Sequence, residues 1–147
     1  MRVHIATDHA AFELKEFLVE KLTSAGYEVV DHGASSYDEV DDYPDFITPC
    51  AQAVAKEKTL GVVLGGSGNG EQIMANKVAG IRAILAYNTE IARLGREHND
   101  ANIISLGGRM QPLEQAWEMV KVFLETPFSA EERHQRRINK ITAFEQK

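Results

Sequence analysis

Short apolar runs alternate with amphipathic stretches along the chain. Five runs rich in β-branched residues have the length and composition of buried strands, at residues 3–6, 27–30, 60–64, 81–86 and 103–106. Apolar residues at helical spacing, with cap or turn residues near the ends, predict the helices: one ending before Gly26, one from Pro44, one from near Gly70, one over 90–97, one over 113–124 and one from near Ser129.

This alternation predicts an α/β fold with a parallel sheet covered by helices on both faces. Parallel strands are joined by long crossovers, which are right-handed in nearly all proteins. Open sheets of this kind bind their ligands at the carboxyl ends of the strands. The 147 residues match the size of one domain, so a single domain over 1–147 is expected.

Polar clusters follow three of the predicted strands. Asp8 and His9 come after the first strand, residues 67–71 after the third, and the GGR segment ending in Arg109 after the fifth. Because the carboxyl ends of parallel strands share one edge of a sheet, we expect these clusters to converge on one site.

The sequence GGSGNGE, at residues 65–71, puts a carboxylate at the start of a helix. Its glycines can serve the tight turn alone, and Glu71 can simply complement the helix dipole. Alternatively, Glu71 is a base beside free backbone N–H groups that stabilise an oxyanion. The helix N-terminus would lower the pKa of Glu71 and partial burial would raise it, and the sequence leaves the outcome open.

Three further polar groups each allow two interpretations. Asp8 with His9 is typical of a helix cap, but the position at the sheet edge also suits ligand binding. His98, near a helix end, is either a solvent-facing histidine or an acid/base group that titrates near neutral pH. Asn99 beside it could orient a hydroxyl group.

A basic stripe lies on the last predicted helix. Arg133, Arg137 and Lys140 are spaced to share one side of that helix in an otherwise acidic chain. The stripe is either a solvated surface or a phosphate clamp, which Arg109 could join, because guanidinium groups match phosphate oxygens. A phosphate held by this clamp would stay away from the carboxylate of Glu71.

Composition excludes several classes of protein. The net charge of −6 argues against general nucleic-acid binding and against binding to anionic membranes. No apolar stretch approaches the length of a membrane span, and no signal peptide is evident. With Cys50 as the single cysteine, no internal disulfide is possible, so we expect a cytoplasmic protein. Metal-ligand spacings and nucleotide-binding motifs are absent, so we expect neither a metal nor a nucleotide cofactor.

Taken together, these motifs resemble the ribose-5-phosphate isomerase B family. The resemblance covers nearly the whole chain and lies in five segments in family order: DHAAFELK, GGSGNGEQIMANK, REHNDAN, GGRM and RHQRR. It implies a three-layer α/β/α Rossmann-like sandwich with a five-stranded parallel sheet. It also implies a homodimer, or a tetramer, with shared sites and with the C-terminal helix, about 129–147, at the dimer interface.

The reaction implied by the resemblance interconverts ribose 5-phosphate and ribulose 5-phosphate through an enediolate, without a cofactor. Glu71 would be the base, Ser67 would assist it, and His98 would open the furanose ring. The anion hole would be formed by the loop residues Gly66, Ser67, Gly68, Asn69 and Gly70.

The remaining family positions would bind the sugar phosphate. Asp8 and Asn99 would hold hydroxyl groups, and His9 would lie near the ligand. The phosphate would be bound by Arg109, Arg133 and Arg137. Because the family shares its sites across the dimer, some of these groups should come from the partner.

One position departs from many members, which have a cysteine two residues before the Ser or Thr of the glycine loop. This chain has Gly65 there and resembles the subgroup seen in mycobacteria, whose loop reads GGSGNGE and whose glutamate is the base. Related enzymes act on tetrulose 4-phosphate, allose 6-phosphate or galactose 6-phosphate, so these substrates remain alternatives. A non-catalytic sugar-phosphate sensor is an alternative of another class.

Overall fold

The computed structural model describes all residues from 1 to 147. The elements follow in this order: β1 (Arg2–Thr7), a short 3-10 helix (His9–Ala11), α1 (Phe12–Ser24), β2 (Glu28–Asp31), α2 (Pro44–Glu57), β3 (Leu60–Gly65), α3 (Asn69–Asn76), β4 (Ala83–Leu85), α4 (Thr89–Asn99), β5 (Ile103–Gly107), α5 (Leu113–Glu125) and α6 (Glu132–Glu145). The predicted alternation of strand and helix is confirmed.

The five strands form one parallel sheet in the order β2-β1-β3-β5-β4. Ile5 pairs with Val62, which in turn pairs with Ile104, so the three central strands are in register. The chain runs from β1 outward to β2 and then returns to β3 on the other side of β1. This reversal opens a crevice between the carboxyl ends of β1 and β3, where such folds bind ligands.

Two apolar layers cover the sheet, one on each face. Val62 and Leu64 of β3 join the cluster beneath α1, α4 and α5, whereas Val63 joins the cluster beneath α2 and α3. Neighbouring residues point to opposite faces because the side chains of a strand alternate. The three-layer α/β/α Rossmann-like sandwich expected from the resemblance is therefore the observed fold.

Two predicted boundaries were wrong. The fourth strand covers only Ala83–Leu85, because the backbone N–H of Ile81 donates to the carbonyl of Val78 and closes a turn. The last helix begins at Glu132 and not near Ser129, because Ala130 has a left-handed backbone with a φ of 59°. The Ser129 hydroxyl instead lies 2.9 Å from the ring of His134.

The last helix is an outlying element that packs against α4. His134 and Ile138 are its buried residues, whereas Phe144 near its end is 77% exposed. No helix in the structure combines the length and apolarity needed to cross a membrane.

Candidate active site

A cleft of about 440 Å³ opens at the carboxyl edge of the sheet, beside the crevice between β1 and β3. Residues from the loops after β1, β3 and β5 line it together with the start of α2. The lining residues are His9, Ala10, Tyr43, Gly66, Ser67, Gly70, Glu71, Arg109 and Met110. The expected convergence of the three polar clusters is confirmed.

The glycine loop is held rigidly between β3 and β5. The N–H of Gly108 donates to the carbonyl of Gly65 at 2.7 Å, and the Ser105 hydroxyl donates to the carbonyl of Gly68 at 2.7 Å. Gly68 has a φ of 88°, and a Cβ atom there would lie 3.0 Å from the backbone of Leu106. Only glycine fits this position, since the backbone is left-handed and a neighbouring strand is close.

Loop residues at the start of α3 face the cleft. Gly68 is the N-cap residue and contributes no side-chain cap to the first N–H groups of the helix. The Ser67 hydroxyl accepts from the backbone N–H of Asn69 at 3.3 Å and from its side-chain amide at 3.2 Å. The loop therefore offers N–H donors and a hydroxyl at one wall.

Glu71 is the one acid buried in this wall. It lies in the first turn of α3 with only 4% of its surface exposed, and its carboxyl group lies directly over the Cα of Gly65. Burial raises the pKa of Glu71, and the negative charge of Asp8 raises it further, although a hydrogen bond from its own N–H acts in the opposite direction. Burial therefore outweighs the hydrogen bond from the N–H of Glu71, and the net direction of the pKa shift is upward.

Asp8 and His9 stand at the opposite wall. Asp8 caps the 3-10 helix, because its Oδ1 accepts from the N–H of Ala10 at 2.9 Å, and it is 6% exposed. The capping interpretation of Asp8 is thus confirmed, and it places the carboxylate close enough to raise the pKa of Glu71. His9 lines the cleft and contacts Asp41 through ring Nδ1 at 2.7 Å.

One group of side chains has ligand atoms close enough together to hold a metal ion. It consists of Asp8, His9 and Asp41, whose ligand atoms lie within 4.8 Å of one another. The contact between His9 Nδ1 and Asp41 Oδ1 is a hydrogen bond, since 2.7 Å is too short for a cation between the two atoms. Asp41 also raises the pKa of His9, which keeps a proton on the ring. The arrangement favours a proton over a metal ion.

Arg109 supplies a cation to the same cleft. Its Nη1 would lie 3.0 Å from a Cβ atom on Gly66, so the guanidinium packs against the glycine loop. Arg109 is exposed and lies close enough to His9 to lower the pKa of that ring. Its position beside His9 gives one end of the cleft a positive charge.

The other predicted residues are not in this cleft. His98 and Asn99 end α4, and a helix that follows a parallel strand runs back to the amino edge of the sheet. The carbonyl of Asn99 accepts from Arg82, just before β4, at 2.7 Å. Within one chain, these two residues therefore lie at the edge opposite Glu71.

Residues of α6 surround His98. The ring of His134 lies 4.3 Å from that of His98, and Arg133 donates to His134 at 3.3 Å. Arg137 is exposed on the same helix. His98, Asn99, Arg133 and Arg137 thus belong to a second group, away from the cleft that contains Glu71.

A larger cavity, of about 620 Å³, opens at the amino edge of the sheet. The two arginines that line it, Arg82 and Arg96, are already hydrogen-bonded to backbone carbonyls. Arg82 donates to the carbonyls of Asn99 and Asp100, and Arg96 donates to those of Ala101 and Thr126. Lys58 also lines this cavity, but no buried acid or glycine-rich helix start does, so the smaller cleft is the better candidate site.

The sequence analysis missed Tyr43 of the cleft and the contact of Asp41 with His9. Tyr43 lies against the glycine loop, with its hydroxyl 2.7 Å from the place of a Cβ on Gly70, and Asp41 bonds to His9. Both come from the acidic segment before α2. The available signal in the sequence was Tyr43, which stands immediately before Pro44 at the start of α2. Nothing in the local sequence shows that this loop folds over the cleft.

The fold and cleft define an α/β protein with a small-molecule cleft at the carboxyl edge of its sheet, next to a buried acid and an arginine. A family-wide sequence profile described as Ribose/Galactose Isomerase matches residues 3–141. Ribose-5-phosphate isomerase B of Mycobacterium leprae is 51% identical over 146 residues, which cover 99% of this chain and 90% of that protein. The chain belongs to the Ribose/Galactose Isomerase family.

Solved structures agree with this assignment. Ribose-5-phosphate isomerase B of Clostridium thermocellum has a TM-score of 0.95 and 41% identity, and the match covers 99% of this chain and 98% of that one. The enzyme of Mycoplasma genitalium with bound ribulose-5-phosphate has a TM-score of 0.96 and 37% identity, covering 99% and 97%. The family and fold implied by the resemblance are confirmed.

Proposed function

We propose that this chain is a ribose-5-phosphate isomerase that interconverts ribose 5-phosphate and ribulose 5-phosphate. The relative that is 51% identical carries this activity in its name, and a structural neighbour holds the ketose product. The observation that carries the proposal is a buried acid beside a glycine-rich helix start, in a cleft with a positive end.

Glu71 is the base of this proposal. Moving a proton between the C1 and C2 carbon atoms requires a base that is not too weak and a site that stabilises the enediolate. Its raised pKa strengthens Glu71 as a base, while backbone N–H groups of the glycine loop stabilise the developing oxyanion. Ser67 assists at the same wall.

The phosphate is bound by the cations of the cleft and not beside the carboxylate of Glu71. His9 and Arg109 supply positive charge there, and Asp8 holds a hydroxyl group of the sugar. Separating the two anions avoids repulsion, which would raise the energy of the bound state. The glycine loop residues Gly66, Gly68, Asn69 and Gly70 keep the reacting end close to the backbone.

A homodimer with shared sites completes this arrangement. His98, to open the sugar ring, and Asn99, to bind a hydroxyl, cannot reach Glu71 of their own chain, because they lie at the other edge of the sheet. We infer that a partner contributes them together with Arg133 and Arg137. The C-terminal helix, α6, would pack at the interface and bury its own exposed apolar residues, such as Phe144, against the partner.

A single domain over residues 1–147, which fits the two apolar layers on one sheet, is part of the same proposal. A cytoplasmic location and the absence of a cofactor or nucleic-acid partner also stay predictions. The free, buried Cys50 supports the location, and the net charge of −6 supports the absence of a nucleic-acid partner.

The test is incubation of the purified protein with ribose 5-phosphate in heavy water, without added metal. NMR should show ribulose 5-phosphate, with deuterium at the carbon that receives the transferred proton. Galactose 6-phosphate and allose 6-phosphate, assayed in parallel, should turn over far more slowly. Binding of ribose 5-phosphate without any ketose formation would instead support the sensor interpretation.

A further inference from the structure

Asp41 is a buried carboxylate at the cleft that the proposed reaction does not use. Its side chain is 9% exposed, and its Oδ2 has no hydrogen-bond partner. Its Oδ1 accepts from two donors of His9, the backbone N–H at 3.1 Å and ring Nδ1 at 2.7 Å. A buried carboxylate is unfavourable unless a cation compensates it, and His9 is the nearest group that can carry positive charge.

The contact fixes both the orientation and the tautomer of the His9 ring. An ionised carboxylate only accepts hydrogen bonds, so Nδ1 must carry a proton. Because Asp41 contacts both the backbone and the ring of His9, the ring cannot rotate without losing the shorter bond. Nε2 is then the ring nitrogen left for the cleft, which His9 lines.

Four groups near His9 determine its charge and position. The hydrogen bond that His9 donates to Asp41 is the largest influence and raises the pKa of His9, and the charge of Asp8 acts in the same direction. Burial and the nearby guanidinium of Arg109 lower it, but the net direction is upward. Tyr37 packs edge-on at 6.2 Å between ring centroids and adds no formal charge of its own to this balance.

We propose that Asp41 is a positioning residue: it holds the ring of His9 in place and stabilises its imidazolium form, so that a charged N–H faces the substrate phosphate beside Arg109. This inference rests on the proposed function for the identity of the anion. A histidine with an ordinary pKa would be only about one quarter protonated at pH 7, so Asp41 would determine whether this donor carries charge at physiological pH.

The experiment compares Asp41→Asn with Asp42→Asn, which makes the same change one residue along on an exposed side chain. NMR titration of the free protein should show His9 titrating above its ordinary value of 6.5 in the wild type and in Asp42→Asn. In Asp41→Asn the titration should move to lower pH. Assignment of the His9 signal by His9→Gln makes this readout independent of turnover.

Kinetics with ribose 5-phosphate give a second readout. At pH 8, Asp41→Asn should raise KM about tenfold with little change in kcat. The reason is that the charge-assisted hydrogen bond from His9 to the substrate phosphate is lost. Near pH 5.5 the difference should disappear, since His9 is then protonated without Asp41. A merely structural role would raise KM equally at both pH values, and that result would overturn the proposal.

The two proposals fail in distinguishable ways. Normal turnover with an unmoved His9 titration in Asp41→Asn would reject the role of Asp41 and leave the isomerase intact. If the protein shows no turnover but the titration of His9 still changes in Asp41→Asn, the isomerase activity and the substrate phosphate as ligand are rejected. The coupling of Asp41 to His9 is then retained. If Asp41→Asn does not fold, the wild-type titration still decides, because a His9 pKa at or below its ordinary value contradicts the proposal.

Discussion

Gly65 and Glu71 share one volume: a Cβ atom on Gly65 would lie 2.1 Å from both Cδ and Oε1 of the Glu71 carboxyl group. Two non-bonded heavy atoms cannot approach so closely, so either residue 65 lacks a side chain or Glu71 points elsewhere. This explains the departure in the sequence, because a cysteine at position 65 would occupy the place of the buried carboxylate. Glycine at 65 and glutamate at 71 therefore depend on each other.

Gly65→Ala should displace the carboxylate from the wall of the cleft. We expect kcat for ribose 5-phosphate to fall about 100-fold, since a misplacement of about 1 Å at the reacting centre has an effect of this size. The methyl group also overpacks a buried site, so thermal unfolding should show a lower Tm.

A double variant controls this prediction. In a Glu71→Ala background the methyl group of Gly65→Ala meets no carboxyl group, so it should cause no further loss of kcat and a smaller loss of Tm. Additive effects of the two substitutions on either quantity would contradict the shared volume, since residues in direct contact are expected to be non-additive.

Glu71→Gln tests the base itself, with nearly unchanged shape. Because the lost group acts in the transition state, kcat should fall by about 10³-fold while KM changes little. Steady-state kinetics and ligand titration separate the two quantities. Turnover close to that of the wild type would exclude Glu71 as the base.

The pH dependence of the wild-type enzyme adds a second check on Glu71. Only the ionised carboxylate accepts a proton, and burial raises the pKa of Glu71 above its ordinary value of 4.5. The acidic limb of kcat/KM should therefore lie above pH 4.5, with activity falling as the pH drops through that limb. An acidic limb of kcat/KM at or below pH 4.5 would contradict a pKa of Glu71 that burial has raised.

The fold was largely predictable because its signals are local. Each strand is a run of apolar residues such as 60–64, and each crossover helix has its own apolar stripe, so alternation alone specifies the sheet type. The errors were at boundaries. Ser129 was a poor guide to the last helix, since the left-handed backbone of Ala130 depends on packing that no cap preference reveals.

The site was only partly predictable, because it combines residues that are distant along the chain. Strand ends placed His9, Glu71 and Arg109 in one cleft, since topology determines which edge they share. The burial that raises the pKa of Glu71, and the approach of Asp41 to His9, depend on tertiary packing. The local pattern offered roles for His98 and Arg137 only as one of two alternatives, and the resemblance made those roles specific.

Arg137→Ala tests the phosphate clamp on α6. Arg137 is exposed, whereas the neighbouring Arg136 is paired with Glu132 at 2.9 Å. If Arg137 binds phosphate equally in the ground and transition states, its loss should raise KM by about tenfold and leave kcat nearly constant. Arg136→Ala is the matched control and should change neither quantity, so equal KM values for both variants would reject the clamp.

Acidification should destabilise the protein through His32. Burial and the neighbouring ring of His4, 2.8 Å away, lower the pKa of His32. A histidine with a lowered folded-state pKa contributes its full stability above the unfolded value of about 6.5 and loses it as pH falls toward the folded value. Tm should therefore fall between pH 7 and pH 5, and less steeply in His32→Gln.

His9 provides a control of opposite sign. Asp41 raises the pKa of His9, so its contribution is complete below about 6.5 and is lost as pH rises through the raised value. In His9→Gln, Tm should therefore fall more steeply with decreasing pH than it does in the wild type. His134, whose pKa is lowered by burial, acts like His32, so some decline should persist in His32→Gln.

Mixing two inactive variants tests whether the site is shared between chains. Glu71→Gln and His98→Asn should each have little activity alone, because every site lacks one of the two groups. In a mixed dimer with two-fold symmetry, one site carries both defects and the other combines Glu71 of one chain with His98 of its partner. After subunit exchange of equal amounts, half of the dimers are mixed, so about one quarter of wild-type activity should return. Sites contained within one chain could not recover at all, and the mixture would then stay as inactive as its components.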